Sequence, residues 1–445
     1  MKIFILFAAM LTLLIISMLH FHLEPHIPLL MCLILMGIFC LSEGSRWQSL
    51  EKGMIDGISR GLQPILIMAL IGILIAAWMA SGSVPYLIYW GLEWINPNWF
   101  LPGVLLLTIL VSSFTGSSFT TVGTVGAAMM AIGLSLGMNP ALVAASVICG
   151  ACFGDKMSPL SDTTNFASAI AGVDLYTHIR HMMHTTLPAM ILTFIFFIVM
   201  GYNTPSHSVE AVTHLQAGLA QHFHLSPLNL LAPIIVVMGA VKRFPIIPLL
   251  TVGIIVAGIT TLTLQPGSDL ATLLKAYHHG FHLTTENEVL ANMVNRGGLN
   301  AMLSSVILIM IALSLGGMAV QTGLLDRLMR GMVKKVTNKG RAVASTALSS
   351  AGVNVFTGEM YLSILLPGQM FKPVYEQHGI ALKNLSRTLE DAGTLITPLI
   401  PWGVSGVFFA QTLGVEVLEY LPYVVFLYLC PVLSVVLGYL QKDRG

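Results

Sequence analysis

Apolar stretches of about twenty residues recur along the whole chain and are separated by short polar segments. A bilayer core about 30 Å thick is crossed by roughly 20 apolar residues in a helix. The pattern therefore predicts an all-α polytopic membrane protein. Its apolar helices are expected at about residues 1–20, 26–43, 60–82, 140–172, 185–202, 227–242, 245–264, 297–323, 380–412 and 417–440.

The apolar pattern occurs twice. IPLL stands at 27–30 and again at 247–250, and SPL at 158–160 is matched by TPL at 397–399. These matches predict two repeats, 1–202 and 227–445, joined by an outer linker at 203–226. An odd number of spans in each repeat gives the two an inverted topology, which is the design of secondary transporters with alternating access.

An apolar, polar, apolar stretch lies between the third and fourth helix of each repeat, at 101–137 and 342–371. Its middle is crowded with Ser, Thr, Gly and Asn, whose backbone is poorly satisfied in lipid unless it lines a cavity or is buried in protein. We predict two re-entrant hairpins, although two complete spans would return to the same face. Each repeat then holds about five transmembrane helices plus a hairpin and a broken helix, at 140–172 or 380–412.

Composition and charge agree with this class. The chain is 55% hydrophobic and 9% charged, against roughly 25% charged residues in a soluble domain. A net charge of +1 indicates no polyanionic partner, so nucleic acid is excluded. All but Lys156, Lys275 and Arg296 of the 21 basic residues fall in segments assigned to the inside, which places both termini in the cytoplasm of a bacterial inner membrane.

The strongest polar signal is GDKMSPLSDTTN at 154–165, inside an apolar region. A charge at the bilayer centre costs about 2.5–3.5 kcal/mol on translocon scales, so three charges in eight residues indicate a function rather than a surface loop. The matched segment of the second repeat is also broken by Gly and Pro. The candidates from the two breaks are Asp155, Lys156, Ser158, Ser161, Asp162, Thr163, Asp391, Thr394 and Thr397.

The hairpin tips supply further oxygen atoms. Hard cations prefer oxygen ligands, and broken helices offer free carbonyl and N–H groups beside them. For the hydroxyls, helix packing is an equally good explanation, whereas Glu359 is a lone carboxylate in apolar sequence and therefore a stronger candidate. The hairpin candidates are Ser117, Ser118, Thr120, Asn354, Thr357 and Glu359.

Histidine and cysteine do not indicate a metal centre or an enzyme. His178, His181 and His184 lack acidic or cysteine companions, so we expect solvated or pH-responsive roles for them. The sequence contains no nucleophile with a base and no Walker or zincin motif. We expect no enzymatic activity and no cofactor.

Four motifs resemble the NhaC family of sodium/proton antiporters: TGSSFTTVGTVG at 115–126, FGDKMSPLSDTTN at 153–165, YLSILLPGQMF at 361–371 and LSRTLEDAGTLITPLIPW at 385–402. The resemblance implies an ion-transporter-type fold with inverted repeats and paired hairpins, Na⁺ expelled in exchange for protons, and a homodimer in the plasma membrane. The family is similar to exchangers of malate and lactate as well, so Na⁺-linked carboxylate exchange is the alternative function.

The site hypothesis follows from these residues. Burial raises the pKa of a carboxyl group and a bound cation lowers it, so Na⁺ and protons compete for one site. We expect Na⁺ at Asp155 and Asp162, with Asp391 or Glu359 from the second repeat. Such competition is sufficient for antiport.

Overall fold

The computed structural model describes residues 2–21, 23–94, 96–202, 209–242, 244–285, 290–291, 294–333 and 336–440, which consist of helices joined by turns and short irregular segments. Within these residues, seven helices are long and apolar enough to cross a membrane, or up to ten when each bent pair counts as one span. The predicted all-α polytopic membrane fold is confirmed.

The described residues of the first half contain ten helices. α1, α2, α4, α8 and α10 cover the predicted apolar helices, α6 and α7 form the first predicted hairpin stretch, and α3, α5 and α9 are shorter. Their bounds are α1 Lys2–Leu19, α2 His26–Ser42, α3 Trp47–Arg60, α4 Leu62–Ala80, α5 Ser83–Trp94, α6 Pro97–Thr115, α7 Ser118–Ser135, α8 Pro140–Met157, α9 Asp162–Ala171 and α10 Leu175–Tyr202. A π-helical stretch, Val122–Gly126, lies inside α7.

The second half begins after the predicted linker. Residues 203–208 of that linker lie outside the described residues, and its remainder contains a helix. The bounds are α11 Val209–His222, α12 Leu231–Val241, α13 Ile246–Leu264, α14 Leu270–His279, α15 Leu299–Gln321, α16 Leu324–Val333, α17 Lys339–Thr357, α18 Met360–Gln377, α19 Leu382–Gly393, α20 Val404–Leu413 and α21 Val425–Leu440.

Three differences from the predicted helices stand out. α10 begins at Leu175, ten residues before the predicted start at 185, because Thr, His and Arg residues continue the helix beyond its apolar part. Helices α3 and α5 were not predicted, since neither contains a long apolar run. The linker was predicted without a helix, yet α11 lies in it.

Each predicted hairpin consists of two helices that meet at a glycine. α6 ends at Gly116 (φ 66°) and α17 ends at Gly358 (φ 65°), a left-handed conformation that favours glycine. The following helices start at once, capped by the side chains of Ser117 and Glu359. All four helices have 18 or 19 residues, so the polar run of each stretch lies around the junction of two long helices.

The two glycine junctions occupy similar positions. Gly116 packs against the backbone of Leu160, in the break of the first broken helix. Gly358 packs against Trp402 and Gly403, and its carbonyl accepts a hydrogen bond of 2.8 Å from the backbone N–H of Val404. In each half, therefore, a hairpin tip lies against the break of the helix that follows it. An inverted relation between the halves stays a prediction.

Close helix packing surrounds this region. A Cβ atom at Gly154 of α8 would lie 2.5 Å from the carbonyl oxygen of Ile109 and 2.7 Å from the backbone nitrogen of Ser113, both on α6. Such close approach through small residues is typical of membrane helices. It fixes the end of α8, and with it the side chains that follow Gly154, against the first hairpin.

Candidate functional site

The break between α8 and α9 comprises residues 158–161. Pro159 and the hydroxyls of Ser158 and Ser161 organise it. Ser158 donates to the carbonyl of Ser113 at 2.7 Å and accepts from the N–H of Leu160, while Ser161 caps α9 by accepting from the N–H of Thr164. These two predicted site residues therefore shape the break.

Asp155 is held by the first hairpin. Its Oδ2 accepts hydrogen bonds from the N–H and the hydroxyl of Ser118, at 3.0 and 2.7 Å. Its Oδ1 is buried and has no hydrogen-bond partner among the described residues. The hydroxyl oxygen of Ser117 accepts hydrogen bonds from the N–H and the hydroxyl of Thr120 in the first turn of α7, and these bonds position Ser118. The predicted grouping of Asp155 with the first hairpin tip is therefore present.

Lys156 points to the second half of the chain. Its Nζ lies 2.8 Å from Oδ1 of Asp391, and both side chains are at most 1% exposed. This ion pair joins the two broken helices. Asp391 is thus the counter-charge of Lys156, which differs from its predicted position beside Na⁺ with Asp155 and Asp162.

Glu390, which was not among the predicted residues, faces Asp155 instead. Thr163 donates to its Oε1 at 3.2 Å, and its Oε2 is buried without a partner in the described part of the chain. Asp155 and Glu390 both line a small cavity of about 20 Å³. It is lined by Ser118, Cys152, Asp155, Lys156, Thr163, Met360, Glu390, Thr394, Leu395, Pro398, Ser405 and Phe409.

This small cavity has room for about one water-sized particle, since holding a water requires roughly 10–15 Å³. Three oxygen atoms of its lining residues lack partners among the described residues: Asp155 Oδ1, Glu390 Oε2 and the hydroxyl of Ser405. Two carboxylates and several hydroxyls around a space of this size are suited to a single dehydrated cation.

A second cavity of about 170 Å³ adjoins the first, because Asp155, Thr163 and Met360 line both. It also contains four more of the predicted residues, Ser117, Thr120, Asp162 and Glu359, with the exposed side chains of Arg60 and Gln63 at one side. Its polar lining consists of Arg60, Gln63, Ser117, Thr120, Asp155, Asp162, Thr163, Glu359 and Tyr361.

Asp162 and Glu359 are both engaged there. Asp162 is exposed to this larger cavity and accepts a hydrogen bond from the hydroxyl of Tyr361. Glu359 caps α18 by accepting from the N–H groups of Tyr361 and Leu362, at 3.1 and 2.8 Å. Of the predicted set, Asp155, Asp162 and Glu359 therefore line the larger cavity together, whereas Asp391 does not. The described residues contain no group of three His, Cys, Asp or Glu close enough to hold a metal ion.

The remaining predicted residues brace the second half. Asn354 donates to the carbonyl of Gly393 and accepts from Thr397, both at 2.7 Å, which ties α17 to the second break. Thr357 donates to a carbonyl of its own helix. Thr394 donates to the carbonyl of Glu390 and lines the small cavity. Of these four, only Thr394 reaches the candidate site.

The first histidine cluster differs from its expectation. His178 is fully buried, with Nδ1 2.9 Å from the hydroxyl of Ser386, so the solvated role is wrong for it. His181 Nε2 lies 3.2 Å from both Asn384 and Arg387. These contacts join α10 to α19 behind the Lys156–Asp391 pair.

Sequence comparison decides the family. A model of the Na⁺/H⁺ antiporter family matches residues 150–442. The chain is 51% identical to the Na(+)/H(+) antiporter NhaC of Alkalihalophilus pseudofirmus, over 99% of this chain and 96% of that protein. It is 46% identical to the NhaC of Bacillus subtilis, over 98% and 97% of the two chains. The chain belongs to the NhaC group of this family.

A more distant relative is the malate-2H(+)/Na(+)-lactate antiporter of Bacillus subtilis, 35% identical over 90% of this chain and 86% of that protein. The match to the two NhaC proteins extends over nearly the full length of all three chains. The resemblance based on four motifs is thereby confirmed.

Sequence reasoning missed Glu390, Arg387 and Ser405 in this NhaC-type chain. Glu390 and Arg387 lie in the motif LSRTLEDAG, and a helical reading of it would have shown three ionisable residues on buried positions of α19. Ser405 was not chosen as a site candidate, because a serine two residues before a run of Val and Phe is common in membrane helices.

Proposed function

We propose that this NhaC-type protein exchanges cytoplasmic Na⁺ for external H⁺ by alternating access, at the small cavity between Asp155 and Glu390. The observation that carries the proposal is the set of three unpartnered oxygens around a cavity of about 20 Å³. Oxygen ligands in this number and space suit Na⁺, and carboxylates accept protons equally well. The role is that of a carrier, with no catalysed reaction and no cofactor.

The charges of the site favour such an exchange. Around the small cavity and directly behind it lie two basic side chains, Lys156 and Arg387, and three acidic ones, Asp155, Glu390 and Asp391. With all five ionised, one negative charge is uncompensated, and an uncompensated buried charge costs several kcal/mol. One Na⁺ or a proton neutralises it. The two ions cannot both do so, and their competition couples Na⁺ movement to proton movement.

The cavities suggest the conformation. The larger cavity extends from Asp155 past Asp162 and Tyr361 to Arg60, on the face assigned to the cytoplasm. Phe119, which also lines the larger cavity, packs on Phe408 and Phe409, with ring centroids 4.6 and 5.6 Å apart. We therefore infer an inward-facing state, in which Na⁺ reaches the small cavity from the cytoplasm through the larger cavity.

The experiment is Na⁺-dependent dissipation of an acid-inside pH gradient in everted vesicles from antiporter-deficient cells. The variants are Asp155→Asn and Glu390→Gln, with Glu376→Gln as the control, since Glu376 is an exposed glutamate on α18. We expect the two site variants to insert normally and lose exchange, and the control to match the parent. Full exchange by both site variants would refute the site.

The same vesicles test the alternative function. Na⁺ is added alone and then together with malate and lactate. A response to Na⁺ alone supports ion exchange. A response that requires the organic anion would mean that a carboxylate is carried, as the name of the malate-2H(+)/Na(+)-lactate antiporter states for that protein.

The membrane and its orientation belong to the same proposal. We infer a bacterial inner membrane with both termini in the cytoplasm, on the basis of the basic residues in the inner segments. The carboxyl-terminal residues 441–445 lie outside the described part of the chain. A fluorescent protein fused there should fluoresce, whereas a fused alkaline phosphatase should be inactive.

A further inference from the structure

Arg387 is a buried charge that the exchange site does not contact. It lies on α19, its side chain is 0% exposed, and it does not line the small cavity. Its Nη1 lies 3.2 Å from Nε2 of His181, while Nε and Nη2 have no hydrogen-bond partner in the described residues. Burying an arginine in this way is costly, so its charge calls for an explanation beyond packing.

Arg387 lies beside Asp391 on one helix face, because residues four apart are neighbours in an α-helix. Asp391 in turn pairs with Lys156 at 2.8 Å. The buried and half-buried titratable groups on the described elements around Arg387 are Glu390 and Asp391 on α19, Lys156 on α8, His178 and His181 on α10, Tyr375 on α18 and Cys430 on α21. Asp391 therefore lies between two positive charges.

We propose that Arg387 is a positioning residue that sets the affinity of the exchange site for Na⁺. Together with Lys156 it supplies the second positive charge against three carboxylates. Without it, the cluster would carry two uncompensated negative charges and would hold a cation too tightly to release it. A transport site must bind its ion weakly enough to let it leave. This inference rests on the proposed exchange function.

The chemistry of arginine suits this role. Its guanidinium does not lose its proton in proteins, so its charge is the same whether Na⁺ or a proton occupies the site. Lys156 lines the small cavity itself and has a point charge that can move with its flexible stem. Arg387 lies outside the cavity lining and acts on the site through Asp391. Its Nη1 is held by the contact with His181.

The test measures the KM for Na⁺ at several alkaline pH values in proteoliposomes and extrapolates it to vanishing proton concentration, which removes proton competition. The variants are Arg387→Gln and Arg387→Lys. The control is Lys383→Gln, which removes the same charge from an exposed position on the same helix. For a charge about 10 Å from the ion at an effective dielectric constant near 20, the change in affinity is on the order of ten-fold.

We expect the extrapolated KM of Arg387→Gln to fall on the order of ten-fold, together with its maximal rate, because Na⁺ is released more slowly. Arg387→Lys keeps the charge and should stay within a factor of about two of the parent, and Lys383→Gln should not change, since solvent screens its charge. The double variant Arg387→Gln/Asp391→Asn removes one charge of each sign and should return the KM toward the parent value.

An unchanged extrapolated KM in Arg387→Gln, or an equal shift in Lys383→Gln, would overturn the inference. If Arg387→Gln does not fold, Arg387→Lys decides alone, since a large KM shift with the charge retained would show that charge is not the cause. Asp155→Asn keeps the two proposals apart. If Asp155→Asn still exchanges Na⁺, the proposed site fails; if it does not, and Arg387→Gln has the parental KM, only the role of Arg387 fails.

Discussion

The ion pair between Lys156 and Asp391 allows a quantitative prediction. Its atoms lie 2.8 Å apart, and its side chains are 1% and 0% exposed. Removing one partner of a buried pair leaves the other charge without compensation and destabilises a protein by about 3–5 kcal/mol. We therefore expect Asp391→Asn to lower the stability of the purified protein by about that amount. The neutral double variant Lys156→Met/Asp391→Leu should recover most of the loss, because replacing both partners by apolar groups is often neutral.

The chain offers a matched control in its exposed ion pair. Lys2 and Glu43 lie 3.0 Å apart, with side chains 79% and 35% exposed. Pairs of this kind contribute about 0–1 kcal/mol, so Glu43→Gln should have little effect. The assay is the fraction of detergent-solubilised protein that stays monodisperse after heating, measured for all variants at one detergent concentration.

Exchange activity adds a second readout. The double variant removes one positive and one negative charge, so the cluster of Asp155, Glu390 and Arg387 keeps its net charge. We expect it to exchange Na⁺ faster than Asp391→Asn does. Two results would refute the claim that Asp391 is the fixed counter-charge of Lys156. One is that Asp391→Asn and Glu43→Gln lose their monodisperse fraction at the same temperature, and the other is that the double variant is no more stable than Asp391→Asn.

Two further predictions concern neighbouring elements. Glu359 accepts hydrogen bonds from two backbone N–H groups at the start of α18. Glu359→Ala should therefore destabilise the protein by about 0.5–2 kcal/mol, as for other caps, and should retain measurable Na⁺ exchange. Complete loss of exchange at normal protein level would place Glu359 in the ion site. A Cβ at Gly150 would lie 2.5 Å from the carbonyl oxygen of Leu105, so Gly150→Ala should cost about 1–3 kcal/mol of stability. Gly352→Ala is the control and should have little effect, because a Cβ there has nothing within 4 Å. Equal melting temperatures of the two variants would contradict the close packing of α8 on α6.

Much of the fold follows from apolar periodicity and from a few residues with fixed conformational roles. Apolar runs of about twenty residues predict α1, α2, α4 and α13 to within a few residues. The two glycine junctions lie inside the stretches predicted as hairpins. α3 could not be found in this way, because an amphipathic segment such as WQSLEKGMIDGISR shows no long apolar run.

Only the part of the candidate site that comes from the first half of the chain could be predicted from the sequence. Asp155 and Lys156 stand out as charges in apolar sequence, and the structure places both at the small cavity. Hydroxyl groups were less informative. Ser118 binds Asp155, whereas Asn354 and Thr397 bind each other across two elements. The sequence does not distinguish a polar side chain that binds the site carboxylate from one that ties two elements together, because both roles require only a short polar side chain near a break.

Glu390 and Asp391 show why the second half resisted prediction. Adjacent residues of an α-helix point about 100° apart, so two neighbouring carboxylates cannot both face one ion. Which of them faces it depends on where the helix ends. The sequence places the candidates Asp391 and Thr394 at the second break, but α19 continues to Gly393. On this helix Asp391 pairs with Lys156, whereas Glu390 lines the small cavity with Asp155. A shift of one residue in the helix phase would place Asp391 where Glu390 now lies and would turn Glu390 away from the small cavity. The choice between the two carboxylates is therefore set by the packing of α19 against α9 and α10 and by the pairing of Asp391 with Lys156, contacts between the two halves that no local pattern encodes.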